Sequence, residues 1–229
     1  MNIRSLITAV TIVALVQATA CAVPTTFTLT GTDSLDVTSY YTKGELYDNS
    51  TADIQPAGSV DQLSLYDNGY VLISGGSVGD VYAIDTSDVD LASGSVTSLY
   101  AGGSSTVNIA GGAVTDYLGG WDTSELELTG GDIDYLDAGH YSQTTFYGYG
   151  WSATDGLSIV GDQVVGTGWL AGLWADGTAW STQIGYNDLR ATITLVQSPE
   201  ILIVPTPSAM LLAAMGVSLV HFLKRRRAL

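Results

Sequence analysis

Between its two ends, this 229-residue chain offers one histidine, His140, for proton transfer or metal ligation. A catalytic imidazole needs a nucleophile and an orienting partner, and a metal centre needs several converging donors. The local run Asp137-Ala138-Gly139-His140-Tyr141 supplies neither, so His140 reads as a solvated turn residue. Carboxylates are more numerous. Asp61, Asp80, Asp116 and Asp134 fall at or beside one position of a repeated segment, and stacked aspartates can hold Ca2+ through their oxygens. A solvated acidic face is the simpler alternative. Tyr66, Tyr82, Tyr100 and Tyr117 recur near a second position. Such rings could stack on sugars, or they could only cover a corner between repeats. Polysaccharide cleavage needs two placed carboxylates, or carboxylates with a basic proton acceptor, and the body holds only Lys43 and Arg190 as cations. The expectation is a non-enzyme with no catalytic residue, no metal centre and no cofactor, Ca2+ being the one ion with candidate ligands.

The charge is unevenly placed. Arg4 lies near the start and Lys224, Arg225, Arg226 and Arg227 near the end, while all 23 acidic residues lie between Asp33 and Glu200. A body this negative repels phosphate backbones, which argues against nucleic acid as a partner. Val, Ile, Leu and Tyr are too plentiful for a disordered acidic chain. With 27 glycines and many Ser, Thr and Asp, short strands joined by tight turns are expected.

An internal period organises the body. Val71–Val81, Val89–Leu99, Val107–Tyr117 and Leu126–Leu136 share the formula apolar-x-apolar-x-x-Gly-x-apolar-x-x-apolar, with Gly76, Gly94, Gly112 and Gly131 at the corner. Gly58 with Val60 extends the series backwards, and Phe146 with Gly148 extends it forwards. The strand-centre column is Val37, Ile54, Ile73, Leu91, Ile109, Leu128 and Phe146, which predicts up to seven coils. Alternation along Val-x-Ile turns one strand face inward. A second corner is predicted from the small column Ala83, Ala101, Gly119 and Ala138, and Leu46-Tyr47-Asp48-Asn49 recurs as Leu65-Tyr66-Asp67-Asn68. One coil cannot bury its apolar residues, but stacked coils can. The expected fold is all-β: a right-handed parallel β-solenoid of about 18-residue coils. A β-sandwich of hairpins is the alternative, and a fixed period fits it poorly.

The period lapses after residue 150. Residues 151–199 carry Trp151, Trp169, Trp174 and Trp180 and a final strand around Leu189–Val196. This region is expected to be a C-terminal β cap over the open end, with 23–36 as a thinner N-terminal cap and 37–150 as the repeats.

The ends read as targeting segments. Residues 1–22 have a basic start, an apolar stretch and small residues that place signal cleavage around Ala18, Ala20, Cys21 and Ala22. Cys21 after small residues resembles a lipoprotein box, with Ala18 where that motif has Leu; loss with the leader is the plainer fate. No second cysteine exists to form a disulfide within the chain. Residues 200–229 contain the apolar run Met210–Leu223, short for a bilayer crossing, and its basic tail would stay cytoplasmic.

Two resemblances add to this. Val204-Pro205-Thr206-Pro207, the apolar run as a helix, and Lys224-Arg225-Arg226-Arg227 together resemble a PEP-CTERM sorting signal, with Thr206 where the family has Glu. That resemblance implies a bacterial protein exported through the inner membrane, handled by an exosortase-like enzyme, and delivered to the cell surface or to extracellular polysaccharide. The body resembles the Ser-Thr-Val-x-Ile-x-Gly-Gly-x-Val coils of exported bacterial proteins. Gly75-Gly76-Ser77-Val78-Gly79-Asp80-Val81 also resembles the start of a calcium-binding nonapeptide, with Val78 where the motif has Gly. The function expected is a structural protein of the surface or matrix, anchored in the membrane through its C-terminus before sorting. The alternatives are a glycan-binding module and a polysaccharide-active β-helix enzyme.

Overall fold

The computed structural model describes residues 25–188 and 190–198. They form strands and turns, with no helix among the described residues. The strands stack as parallel coils of about 18 residues, solenoid-like. The C-terminal helix expected from the sequence lies outside the described residues.

One face of the stack consists of β2 (Ser34–Val37), β4 (Thr51–Ile54), the first part of β6 (Tyr70–Ala83), the first part of β7 (Asp88–Ala101), β8 (Thr106–Ile109), β10 (Glu125–Leu128) and the start of β13 (Gln143–Thr154). The anticipated spine runs in register from Val37 through Ile54, Ile73, Leu91, Ile109 and Leu128 to Phe146. Every one of these side chains is fully buried. Alternate residues such as Asp90 and Asn108 point outward, so the period-two pattern of each strand becomes a two-sided wall.

The other face is built from β1 (Thr26–Leu29), β3 (Tyr40–Leu46), β5 (Ser59–Leu65), the ends of β6 and β7, β9 (Ala113–Gly120), β11 (Asp132–Ile133) and β12 (Tyr135–Ala138). It contributes the buried columns Val60, Val78, Val96, Val114, Ile133 and Leu63, Val81, Leu99, Leu118, Leu136. Between the faces, the glycine corner brings backbones together: a methyl group on Gly112 would sit 2.7 Å from the Gly94 carbonyl oxygen. Only glycine fits that approach.

The small second corner is real but one residue displaced. Ala83 and Ala101 align with Gly120 and Ala138, not with Gly119. A bulge between Val96 and Ser98 sets Val96 against Val114 but Ser98 against Tyr117. The extra residue, within 115–116, shifts everything after it.

The region after residue 150 holds two kinds of structure. β14 (Ser158–Val160), β15 (Gln163–Val165) and β16 (Gly168–Trp174) form an antiparallel excursion with the end of β13. The chain then rejoins the stack. β17 (Ala179–Asn187) pairs in parallel with β12, and β18 (Thr192–Gln197) pairs in parallel with β13, placing Leu195 beside Phe146. Trp180 stacks on Phe146 at 4.9 Å and on Trp174 at 4.6 Å, closing this end of the core with rings. At the other end, β1 and β2 are themselves a parallel layer on β3 and β4, so stacking begins before residue 37.

Candidate functional site

The side chains singled out for chemistry lie on one face and its adjoining turn. Tyr82 and Tyr100 occupy the same position in neighbouring coils, with rings 5.0 Å apart and nearly parallel. Tyr117 is not their register partner; Gly119 is. Because Gly119 has no side chain, the Tyr117 ring lies over it, its hydroxyl oxygen 2.6 Å from where a Cβ would be, and so reaches Tyr100 at 5.0 Å. Tyr135, not anticipated, continues the ladder at 5.9 Å. Tyr66 belongs elsewhere: it stacks on Tyr47 at 4.8 Å, two residues further round the coil. Burial, followed by the Asp137 carboxylate, pushes the Tyr117 phenol up to about 12. Each interior ring of the ladder is in contact with rings on both sides, so the faces a sugar would use are already covered.

The four aspartates do not form a column. Asp80 aligns with Gln62 and Ser98, Asp116 lies in the bulge, and Asp61 accepts a hydrogen bond from the Tyr40 hydroxyl at 2.5 Å. The Asp134 N–H donates to the Val114 carbonyl, one layer before its own. Among the described residues, no group of three or more His, Cys, Asp or Glu side chains is placed to hold a metal ion.

A different carboxylate ladder emerges at the turn that closes each coil. Asp48, Asp67, Asp85 and Asp122 all have left-handed φ values between 54° and 61°, and Gly31, Gly103 and His140 take the same conformation at the equivalent turns. Asp and Asn tolerate this region because their short side chains can bond locally. Here the bond reaches to the preceding coil: Gly31 N–H donates to Asp48 Oδ2 at 3.1 Å, and Gly103 N–H donates to Asp122 Oδ2 at 3.3 Å. Each of these turns is closed by a main-chain bond across four residues, as from Ser87 N–H to the Ile84 carbonyl and from Ser124 N–H to the Trp121 carbonyl.

His140 is exposed in this ladder, its Nδ1 3.1 Å from Asp122 Oδ1. The contact with His140, and then the Gly103 N–H, hold the Asp122 carboxyl below its ordinary value. Lys43 pairs with Glu45 at 2.6 Å, and Arg190 pairs with Asp188 at 3.4 Å beneath the Tyr141 ring. Both body cations therefore sit beside carboxylates on the surface. Where the Gly-Gly corner meets the excursion, a groove of about 650 Å3 is lined by Gly111, Gly130, Asp132, Trp174, Asp176 and Thr178 among others. Trp174 Nε1 donates to the Gly131 carbonyl there, which fixes the excursion to the coil, and the Asp176 carboxylate caps the Thr178 N–H.

The expected sorting residues Val204, Pro205, Thr206, Pro207 and Lys224 to Arg227, and the cleavage residues Ala18, Ala20, Cys21 and Ala22, lie outside the described residues. No protein-family model, curated protein or solved structure matches this chain.

Proposed function

We propose that this chain is an exported, non-enzymatic structural protein of a bacterial surface or extracellular matrix. Its leader is removed after Ala20 or after Ala22. Its tail, a helical run with Pro205-Thr206-Pro207 before it and Lys224–Arg227 after it, holds it at the inner membrane for an exosortase-like enzyme. Extracellular polysaccharide is the polymer it would meet, and the solenoid is taken as right-handed.

The observation supporting this reading most strongly is the uniformity of the coils. Turn after turn closes in four residues, from Tyr47–Ser50 through Tyr66–Gly69 and Ile84–Ser87 to Gly139–Ser142. Enzymes and lectins place their groups on loops that a scaffold holds out, whereas these turns are too short to wall a cleft. What results is a rod with an apolar core and an acidic exterior, a form suited to spanning and spacing.

The test is mass spectrometry of the mature protein from its native envelope. A first residue of Cys21 or Val23, and a C-terminus trimmed near Thr206, is the expected result. A cytosolic chain retaining residues 1–22 would overturn the reading. The glycan-binding alternative is tested on a glycan array with the parent protein and with Tyr82→Ala/Tyr100→Ala; binding that the double variant loses would restore it.

A further inference from the structure

The two ends of the stack are finished differently. At the C-terminal end, β16 pairs with the start of β17, β15 touches β18 at Gln163 and Thr194, and Trp174 and Trp180 close the core. At the N-terminal end, β1 pairs only with β3, and β2 only with β4, among the described residues. The carbonyls of Thr25, Leu29, Asp33 and Val37 accept hydrogen bonds from the second layer. Alternation along a parallel strand then leaves the backbone groups of Thr26, Thr28, Ser34 and Asp36 facing away from the stack. Phe27, Leu29 and Leu35 are only partly buried there, lying against the core with nothing above them among the described residues.

Proteins usually protect such an edge with a charge, a proline or a bulge. Residues 25–30, Thr-Thr-Phe-Thr-Leu-Thr, contain no charge, proline or glycine. The only charges from 25 to 39 are Asp33 and Asp36. Cleavage of the leader as proposed above leaves only residues 21–24 or 23–24 ahead of Thr25, too few to lay strands along both β1 and β2.

We propose that this end is a self-association surface occupied by the same end of a second copy. At the C-terminal end β15 and β16 already lie along parts of β18 and β17, whereas pairing of two N-terminal ends is two-fold and stops at a dimer. A two-fold axis normal to the faces sets β1 antiparallel to its counterpart and β2 likewise. Both edges then close in one continuous rod of doubled length. Like charge along the two acidic bodies opposes the union, so added salt tightens it.

This inference uses the leader cleavage of the proposed function, and one preparation tests both. The processed protein is isolated in detergent from membranes of an exporting host. Intact mass gives its first residue, and native mass spectrometry over about 1–50 µM gives its oligomeric state. The expected result is a dimer that falls to monomer in Thr26→Lys/Thr28→Lys, both exposed positions, with an unchanged β circular dichroism spectrum. As a second arm, Thr28→Cys with Cys21→Ser is expected to give a disulfide-linked dimer, and Thr192→Cys in the same background none. A monomer throughout the range overturns the proposal whichever first residue is found, as does a dimer that the lysines leave intact. A retained leader overturns the export reading separately.

Discussion

Gly112→Ala isolates the close approach on which the stack depends. Gly112 has φ +72°, and an added methyl group would lie 2.7 Å from the Gly94 carbonyl oxygen, 3.0 Å from the Ser93 carbonyl carbon and 3.2 Å from Leu91 Cδ1. Two costs follow. Left-handed backbone in a residue with a Cβ costs about 1–2 kcal/mol, and forcing atoms into a packed interior adds about 1–3 kcal/mol. Gly31 and Gly161 supply the control, with φ of +64° and +67° and nothing within 4 Å of the added methyl. Gly31→Ala and Gly161→Ala carry the backbone cost alone, and all three variants share the small gain from a stiffer unfolded chain. Urea unfolding of the purified variants should therefore place Gly112→Ala about 1–3 kcal/mol below both controls. Equal losses in all three would refute the reasoning, because the coil corners would then not be in contact.

Further outcomes follow from the same structure. Phe146→Ala removes a fully buried ring stacked on Trp180, with an expected cost of about 3–5 kcal/mol and a red shift of tryptophan fluorescence in the native protein. Asp122→Asn keeps a residue suited to the left-handed turn and removes the charge; with the Asp122 side chain 60% exposed, the neutral-pH loss should be under about 1 kcal/mol. Since the folded state depresses this carboxyl, its contribution is present at neutral pH and disappears as pH falls through the folded value, so wild type and Asp122→Asn should converge in melting temperature once the pH is below that depressed value. Calcium at millimolar concentration should leave the melting temperature unchanged, because no three acidic side chains converge among the described residues; a rise of several degrees would show a bound ion.

The spine was legible because it repeats a residue type. Val37 to Phe146 is a column of branched or aromatic residues at a near-constant interval, and stacking demands that each be apolar. The turn ladder was not legible, although Asp48 and Asp67 gave a hint through their shared Tyr-Asp-Asn setting. Its members are Gly, Asp and His, related by backbone conformation and not by chemistry. Aligning Asp116 with Asp80, and Gly119 with Ala101, failed at a single bulged residue, which a period read from glycines passes over. The return of β17 and β18 to the stack was hidden by the excursion that separates them from β12 and β13. The tyrosine row was half legible: Tyr82 and Tyr100 follow from register, whereas Tyr117 joins only because Gly119 leaves room for its ring.

Coils stacked in register make the scaffold, and distances between outward-facing positions of one column measure that stacking directly. Ser34, Thr51, Tyr70, Asp88, Thr106, Glu125, Gln143 and Thr192 form such a column. Spin labels on cysteines at Thr51 and Thr192, with Cys21 replaced by Ser, should report about 29 Å from six layers at about 4.8 Å each. Labels at Glu125 and Thr192 should report about 10 Å despite the excursion between them. Separations that follow sequence distance in place of layer number would contradict the stack and the scaffold reading built on it.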